Sequence, residues 1–165
     1  MIGNDIVDLA LAQKESNWKR RGYLDKVFTQ KEQRMIAEAN TPEIMVWNLW
    51  SRKEACYKIY NRQAQIRAFI PLQLECATIE TKTGVIYGNV VCYNSIYYTK
   101  TIITPDFVET IAVQNLEDFE KIKPFILGNK IVKTNGIPNY FDANENVLKP
   151  LSKSHHGRFE RMICF

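Results

Sequence analysis

The spacing of apolar and polar positions changes along this chain and divides it into an early helical part and a late sheet part. The opening "MIGNDIVDL" sets Ile2, Ile6, Val7 and Leu9 around a glycine and two acids, which predicts a short buried strand interrupted by Asp5. "ALAQKESNWKRRGYLDKVF" reads as helix, basic in its second half. "TQKE" predicts a capping box, in which the Thr29 hydroxyl accepts from the Glu32 amide while Glu32 reaches back to the Thr29 amide. A short helix through Ala39 follows. Thr41 and Pro42 signal another start, a capping hydroxyl and then a proline where its missing N–H is no loss, and this helix is expected to run to about Tyr60.

Beyond Tyr60 the period shortens. "LECATIETKTGVIYGNVVCYNSIYYTKTIIT" is rich in β-branched and aromatic residues, with turns expected at Thr83–Gly84 and Asn94–Ser95, and predicts an antiparallel meander. "FVETIAV" adds a strand, "NLEDFEKIKPFIL" a helix capped by Asn115, and "NGIPNYFDANENV" a loop. "KPLSKSHHGRFERMICF" closes as a strand packed into the sheet. The expected fold is α+β, one domain over residues 1–165 with an antiparallel β-sheet packed against helices.

Composition narrows the function classes. At 165 residues and 45% apolar content the chain can build one sizeable core, and its +4 formal charge, from 22 basic and 18 acidic residues, suits an anionic partner without indicating nucleic acid. Cys56, Cys76, Cys92 and Cys164 form no CxxC pair, and with no signal-peptide pattern they read as reduced thiols of a cytoplasmic protein. No apolar run reaches the roughly 20 residues that cross a bilayer, so no membrane association is expected.

Charges on a helix that reads as buried supply the candidate chemistry. Glu54 and Lys58 lie four apart, one turn from each other on one face, among Trp47, Trp50, Ala55 and Ile59. A plain salt bridge would explain them on an exposed helix, but buried charges need partners. Were Asp5 to converge with Glu54, two carboxylates would make a hard-oxygen site of the kind Mg²⁺ uses with water and phosphates. "SKSHHG" holds Lys153, Ser154, His155 and His156. One histidine with the lysine and serine hydroxyls could hold a phosphate, and a polar turn is the plainer alternative. Lys19, Arg20 and Arg21 either complement a helix C-terminus or offer a docking patch for an acidic protein.

Three segments together, "GNDIVDL", "WSRKEACYK" and "SKSHHGRF", give the chain a close resemblance to the 4'-phosphopantetheinyl transferase superfamily. Gly3 and Asp5 match its first motif; Trp50, Ser51, Lys53, Glu54, Ala55 and Lys58 match its second. The motif order resembles the holo-acyl-carrier-protein synthase branch, as does "YLDKVFTQKE". Val7 stands where longer members carry a second acid, and Asp8 is expected to face away from Asp5. The resemblance implies transfer of the phosphopantetheine arm of coenzyme A to a serine of an apo acyl or peptidyl carrier protein, with release of 3',5'-ADP. It implies Mg²⁺ on Asp5 and Glu54, with Glu54 and Lys58 catalytic. Coenzyme A contacts would come from Lys53, Lys153, Ser154, His155 and Arg158, and carrier docking from Lys19, Arg20 and Arg21. It also implies a homotrimer. A non-catalytic relative that binds the same partners is one alternative, and an RNA-binding module stacking bases on Tyr87, Tyr93, Tyr97 and Tyr98 is another.

Overall fold

The computed structural model describes residues 1–125, 130–143 and 145–165. Strand β1 (Ile2–Asp8) leads into helices α1 (Leu9–Glu15), α2 (Tyr23–Val27), α3 (Gln30–Glu38) and α4 (Pro42–Ala64). Four strands follow: β2 (Leu74–Lys82), β3 (Val85–Cys92), β4 (Ser95–Ile103) and β5 (Phe107–Val113). They form an antiparallel sheet in the order β1-β5-β4-β3-β2. A second antiparallel sheet, β6-β10-β9-β8-β7, is built from β6 (Lys123–Pro124), β7 (Ile131–Thr134), β8 (Ile137–Asp142), β9 (Val147–His156) and β10 (Phe159–Cys164). The fold is α+β.

Helix α4 organises the core. Val46, Leu49, Ala55, Cys56 and Ile59 are fully buried and join Leu74, Cys76, Val90, Cys92, Tyr97, Val108 and Ala112 of the first sheet. Gly3 brings β1 against this helix, since a Cβ there would stand 2.0 Å from the Ala55 carbonyl oxygen. Only glycine permits that approach, which carries the Asp5 strand onto the "KEA" turn of α4.

Two cations inside this core are satisfied by protein. Arg52 is fully buried and donates from Nε to Thr99 Oγ1 at 3.1 Å and from Nη2 to the Ala77 and Asn89 carbonyls at 2.6 and 3.0 Å. It pins α4 to β2, β3 and β4. Lys53, 1% exposed, lies 2.6 Å from the Glu32 carboxylate and donates to the Pro71 carbonyl at 2.7 Å. The same Glu32 closes the predicted capping box with Thr29 and accepts from the Cys76 amide at 2.8 Å. One acid thus ties α3, α4 and β2 together.

Several expectations are corrected. "ALAQKESNWKRRGYLDKVF" is two short helices separated by a turn, and Lys19, Arg20 and Arg21 occupy that turn rather than a helix end. α4 continues to Ala64, and the Thr41 side chain makes no cap bond. The second meander turn is Tyr93–Asn94, one residue earlier than expected, because Cys92 pairs with Ser95. From Leu116 to Lys121 the chain makes a 3-10 turn without an Asn115 side-chain cap, and Lys123–Pro124 then pairs with β10. Residues 126 and 127 of that expected helix lie outside the described residues. The expected loop from Asn135 holds β8, entered through a two-residue turn in which Asn135 (φ 51°) and Gly136 (φ 76°) are both left-handed; its residue 144 is also outside the described residues. The closing strand belongs to a second sheet and is a hairpin. Tyr97, offered as a stacking platform, is fully buried and donates to Gln63. All four cysteines are free and buried, and among the described residues no helix is long and apolar enough to cross a membrane.

Candidate active site

The edge of β1 that β5 leaves unpaired runs alongside β9. Its backbone is satisfied by side chains rather than by a ladder. Ser152 Oγ accepts from the Asn4 amide at 2.9 Å and donates to Asn4 Oδ1 at 2.7 Å, while His156 Nδ1 accepts from the Asp8 amide at 2.8 Å. Residues 152, 154 and 156 share one face of β9 by strand alternation. Ser154 between them is buried, and its hydroxyl has no hydrogen-bond partner among the described residues.

The turn after β9 is locked by Asp8. Its carboxylate caps α1 and accepts from the Arg158 amide at 3.0 Å and from Arg158 Nε and Nη2 at 2.9 Å each. This fork holds the Asp8 carboxyl far below the ordinary range. Asp8 therefore faces away from Asp5, as alternation predicts, and serves the hairpin that carries His155.

On the other side of β1, a cleft of about 220 Å³ is lined by Asp5, Glu54, His155 and His156, with Val7, Trp47 and Trp50 among its apolar walls. Asp5, 14% exposed, has its carboxyl raised from 3.8 to about 7. Burial is the main cause, opposed by the Lys58 ammonium 3.7 Å away and reinforced by the charge of Glu54. Glu54 is also raised, again through burial and against the pull of Lys58. Two desolvated carboxylates lining one cleft suit a hard divalent cation with oxygen ligands. Among the described residues no group of three acidic, histidine or cysteine side chains gathers at ligand spacing, so the protein would supply two carboxylates.

Lys58 of α4 lies 3.7 Å from the Asp5 carboxylate and is fixed in place by donating to the Asn4 carbonyl of β1 and to the Lys153 carbonyl of β9 at 3.2 Å. A second cavity of about 220 Å³ lies between α4 and β8–β9, and Lys58 and Lys153 are among its lining residues.

The structure brings Asp5, Glu54, Lys58 and His155 together. Strand alternation separates the other members of "SKSHHG". His155 and Lys153 are exposed, Lys153 lies 2.6 Å from Glu160, and Ser154 turns toward β1. Arg158 is taken up by Asp8 and, at 3.3 Å, Asp106. Lys53 does not reach the cleft surface, because its ammonium is buried against Glu32 and Pro71. The expected phosphate contact from Lys53 is therefore withdrawn. Lys19, Arg20 and Arg21 are exposed, and Ser16 and Tyr23 on either side of their turn both line the cleft, which puts the basic turn at its mouth. Sequence reasoning missed Arg52, Arg62 and the Asp8–Arg158 clamp; the glycine of "HHGR" was the available signal for the clamp, since a Cβ at Gly157 would stand 2.5 Å from the Asp8 carboxylate.

No curated protein matches the chain. The family model described as the 4'-phosphopantetheinyl transferase superfamily matches residues 1–108, a span that holds Gly3, Asp5 and the whole "WSRKEACYK" turn. With Asp5, Trp50 and Glu54 of that span lining one cleft, the chain belongs to the 4'-phosphopantetheinyl transferase superfamily.

Proposed function

We propose that this protein transfers the 4'-phosphopantetheine arm of coenzyme A to a serine of an apo acyl or peptidyl carrier protein, with Mg²⁺, releasing 3',5'-ADP. The observation that carries this reading is the convergence of Asp5 and Glu54, 49 residues apart in sequence, on one cleft, with Lys58 3.7 Å from Asp5. Asp5 and Glu54 would hold the cation, which when bound supplies positive charge against the pyrophosphate. Phosphoryl transfer asks the protein mainly for position and charge, and the residues divide that work.

Glu54 accepts the serine proton. Its raised affinity for protons, the result of burial, makes it a better base than a solvated carboxylate. Lys58 steadies the charge that develops on the transferring phosphoryl group and the leaving oxygen, its ammonium already oriented by two carbonyls. His155, exposed at the lip, contacts a coenzyme A phosphate, with Lys153 and Ser154 beside it. Arg158 contributes through the hairpin it anchors. The basic turn of Lys19, Arg20 and Arg21 receives the acidic carrier. A single domain, a cytoplasmic setting and a homotrimer of the holo-acyl-carrier-protein synthase type complete the reading; exposed Val91 and Ile96, paired across β3 and β4, give the sheet an apolar outer patch.

Glu54→Gln tests the assignment. Turnover is expected to fall by ~10²–10⁴, the range for loss of a general base, while the melting temperature holds or rises because a desolvated charge is gone. A variant that unfolds, yet keeps wild-type activity per folded molecule, would assign Glu54 to structure instead.

A further inference from the structure

His156 is one of the chain's two histidines, and only one edge of its ring is engaged by the fold. Nδ1 lies 2.8 Å from the Asp8 amide, and because a backbone N–H can only donate, Nδ1 carries a lone pair. The proton of the neutral ring is then on Nε2. A charged ring would hold protons on both nitrogens and lose this bond. Among the described residues Nε2 makes no hydrogen bond.

The ring is held stiffly because Asp8 is. That residue is buried, caps α1 and grips Arg158 with both carboxylate oxygens, which fixes the amide that meets His156. Four residues back on the same face of β9, Ser152 is tied to Asn4 by two hydrogen bonds. The contact between β1 and β9 is thus pinned at both ends, and the imidazole is oriented by the backbone rather than by a carboxylate.

The same ring lines the cleft of Asp5 and Glu54. Those carboxylates suit a divalent cation, and a further positive charge beside it would weaken their hold on it. A neutral N–H donor supplies a hydrogen bond to an anionic ligand without that penalty. We propose that His156 is a further catalytic residue, which the Asp8 amide locks as the neutral Nε2–H form and which donates to a pyrophosphate oxygen of coenzyme A in the cleft. The identity of that oxygen rests on the proposed function, and a free phosphate ion, which has the same chemistry, is the competing source.

Nitrogen-15 NMR at about pH 8, above the ordinary imidazole range, reads the lock without carrier or turnover, and a His155→Gln sample assigns the two rings. His156 is expected to show a bare Nδ1 and a protonated Nε2, whose proton moves downfield with coenzyme A and Mg²⁺ but not with inorganic phosphate and Mg²⁺. His156→Asn retains an acceptor near the Nδ1 position and lacks the distal donor. It should melt within about 2 °C of wild type yet bind coenzyme A about tenfold or more weakly in calorimetry. His156→Gln carries an amide N–H toward the Nε2 position and should recover part of that affinity. An equal response to phosphate would assign the donor to a free anion and overturn the coenzyme A identification. A proton on Nδ1, a ring that responds to neither ligand, or wild-type affinity in His156→Asn would overturn the proposal even if a carrier is modified. A ring that responds to coenzyme A while no carrier is modified would support the contact and sink the transferase reading alone.

Discussion

Replacing Lys53 with methionine separates the two roles open to the first lysine of "WSRKEACYK". The ammonium is 1% exposed and 2.6 Å from a Glu32 carboxylate that is itself fully buried. Lys53→Met keeps much of the volume but leaves Glu32 charged in the core with the Thr29 and Cys76 amides as its remaining donors. Breaking a buried pair from one side costs ~3–5 kcal/mol, since the surviving charge stays desolvated. For a chain of this length that is a fall of ~6–20 °C in melting temperature. The double variant Glu32→Gln with Lys53→Met removes the orphaned charge and should recover much of the loss. Circular dichroism melts give the stabilities, and KM for coenzyme A is then measured well below the lowest melting temperature, where it should match wild type. A Lys53→Met protein that melts within about 2 °C of wild type and shows a strongly raised KM would mean that this lysine contacts substrate phosphate and that the buried pair has been misread.

Two further outcomes follow from the cleft. Burial raises Asp5 from 3.8 to about 7, so ionising it opposes folding: the penalty is absent below 3.8, grows as pH rises and levels off above about 7 at ~4 kcal/mol. In chelator, Asp5→Asn should therefore melt above wild type at pH 8 and converge with it near pH 4 as the wild-type carboxyl protonates; a gap independent of pH would remove desolvation as the cause. Reversing Lys19, Arg20 and Arg21 to glutamate should raise KM for an acidic carrier at low salt, with KM for coenzyme A unchanged, and a carrier KM insensitive to both salt and charge would place docking elsewhere.

Local patterns in the sequence translated well where a short-range rule decides structure. The capping box at Thr29 and the meander turn at Thr83–Gly84 depend on residues within four of one another. The outward direction of Asp8 followed from strand alternation alone. Asp5 and Glu54 were legible as a pair only through the resemblance, and Gly3 supplies the physical reason for their convergence, because it lets β1 touch the Ala55 turn. What stayed hidden depends on partners distant in sequence. Nothing near "SRKE" reveals that Arg52 and Lys53 point into the core, since their acceptors lie on β2, β3, β4 and α3. The turn residues around "NGIPNYFDANENV" were visible, but the strand between them is held by pairing with β7 and β9 rather than by its own composition. Residues 116–121 carry a helix-like spacing that the following strand pairing of Lys123–Pro124 cuts short.

The most direct test of the account is the intact mass of a panel of apo acyl and peptidyl carrier proteins after incubation with this protein, coenzyme A and Mg²⁺. The account predicts that at least one carrier gains the mass of a single phosphopantetheine arm on its serine, and that the gain disappears with Glu54→Gln. Unchanged masses across the panel, under conditions in which a working transferase modifies every carrier in it, would contradict the transferase reading.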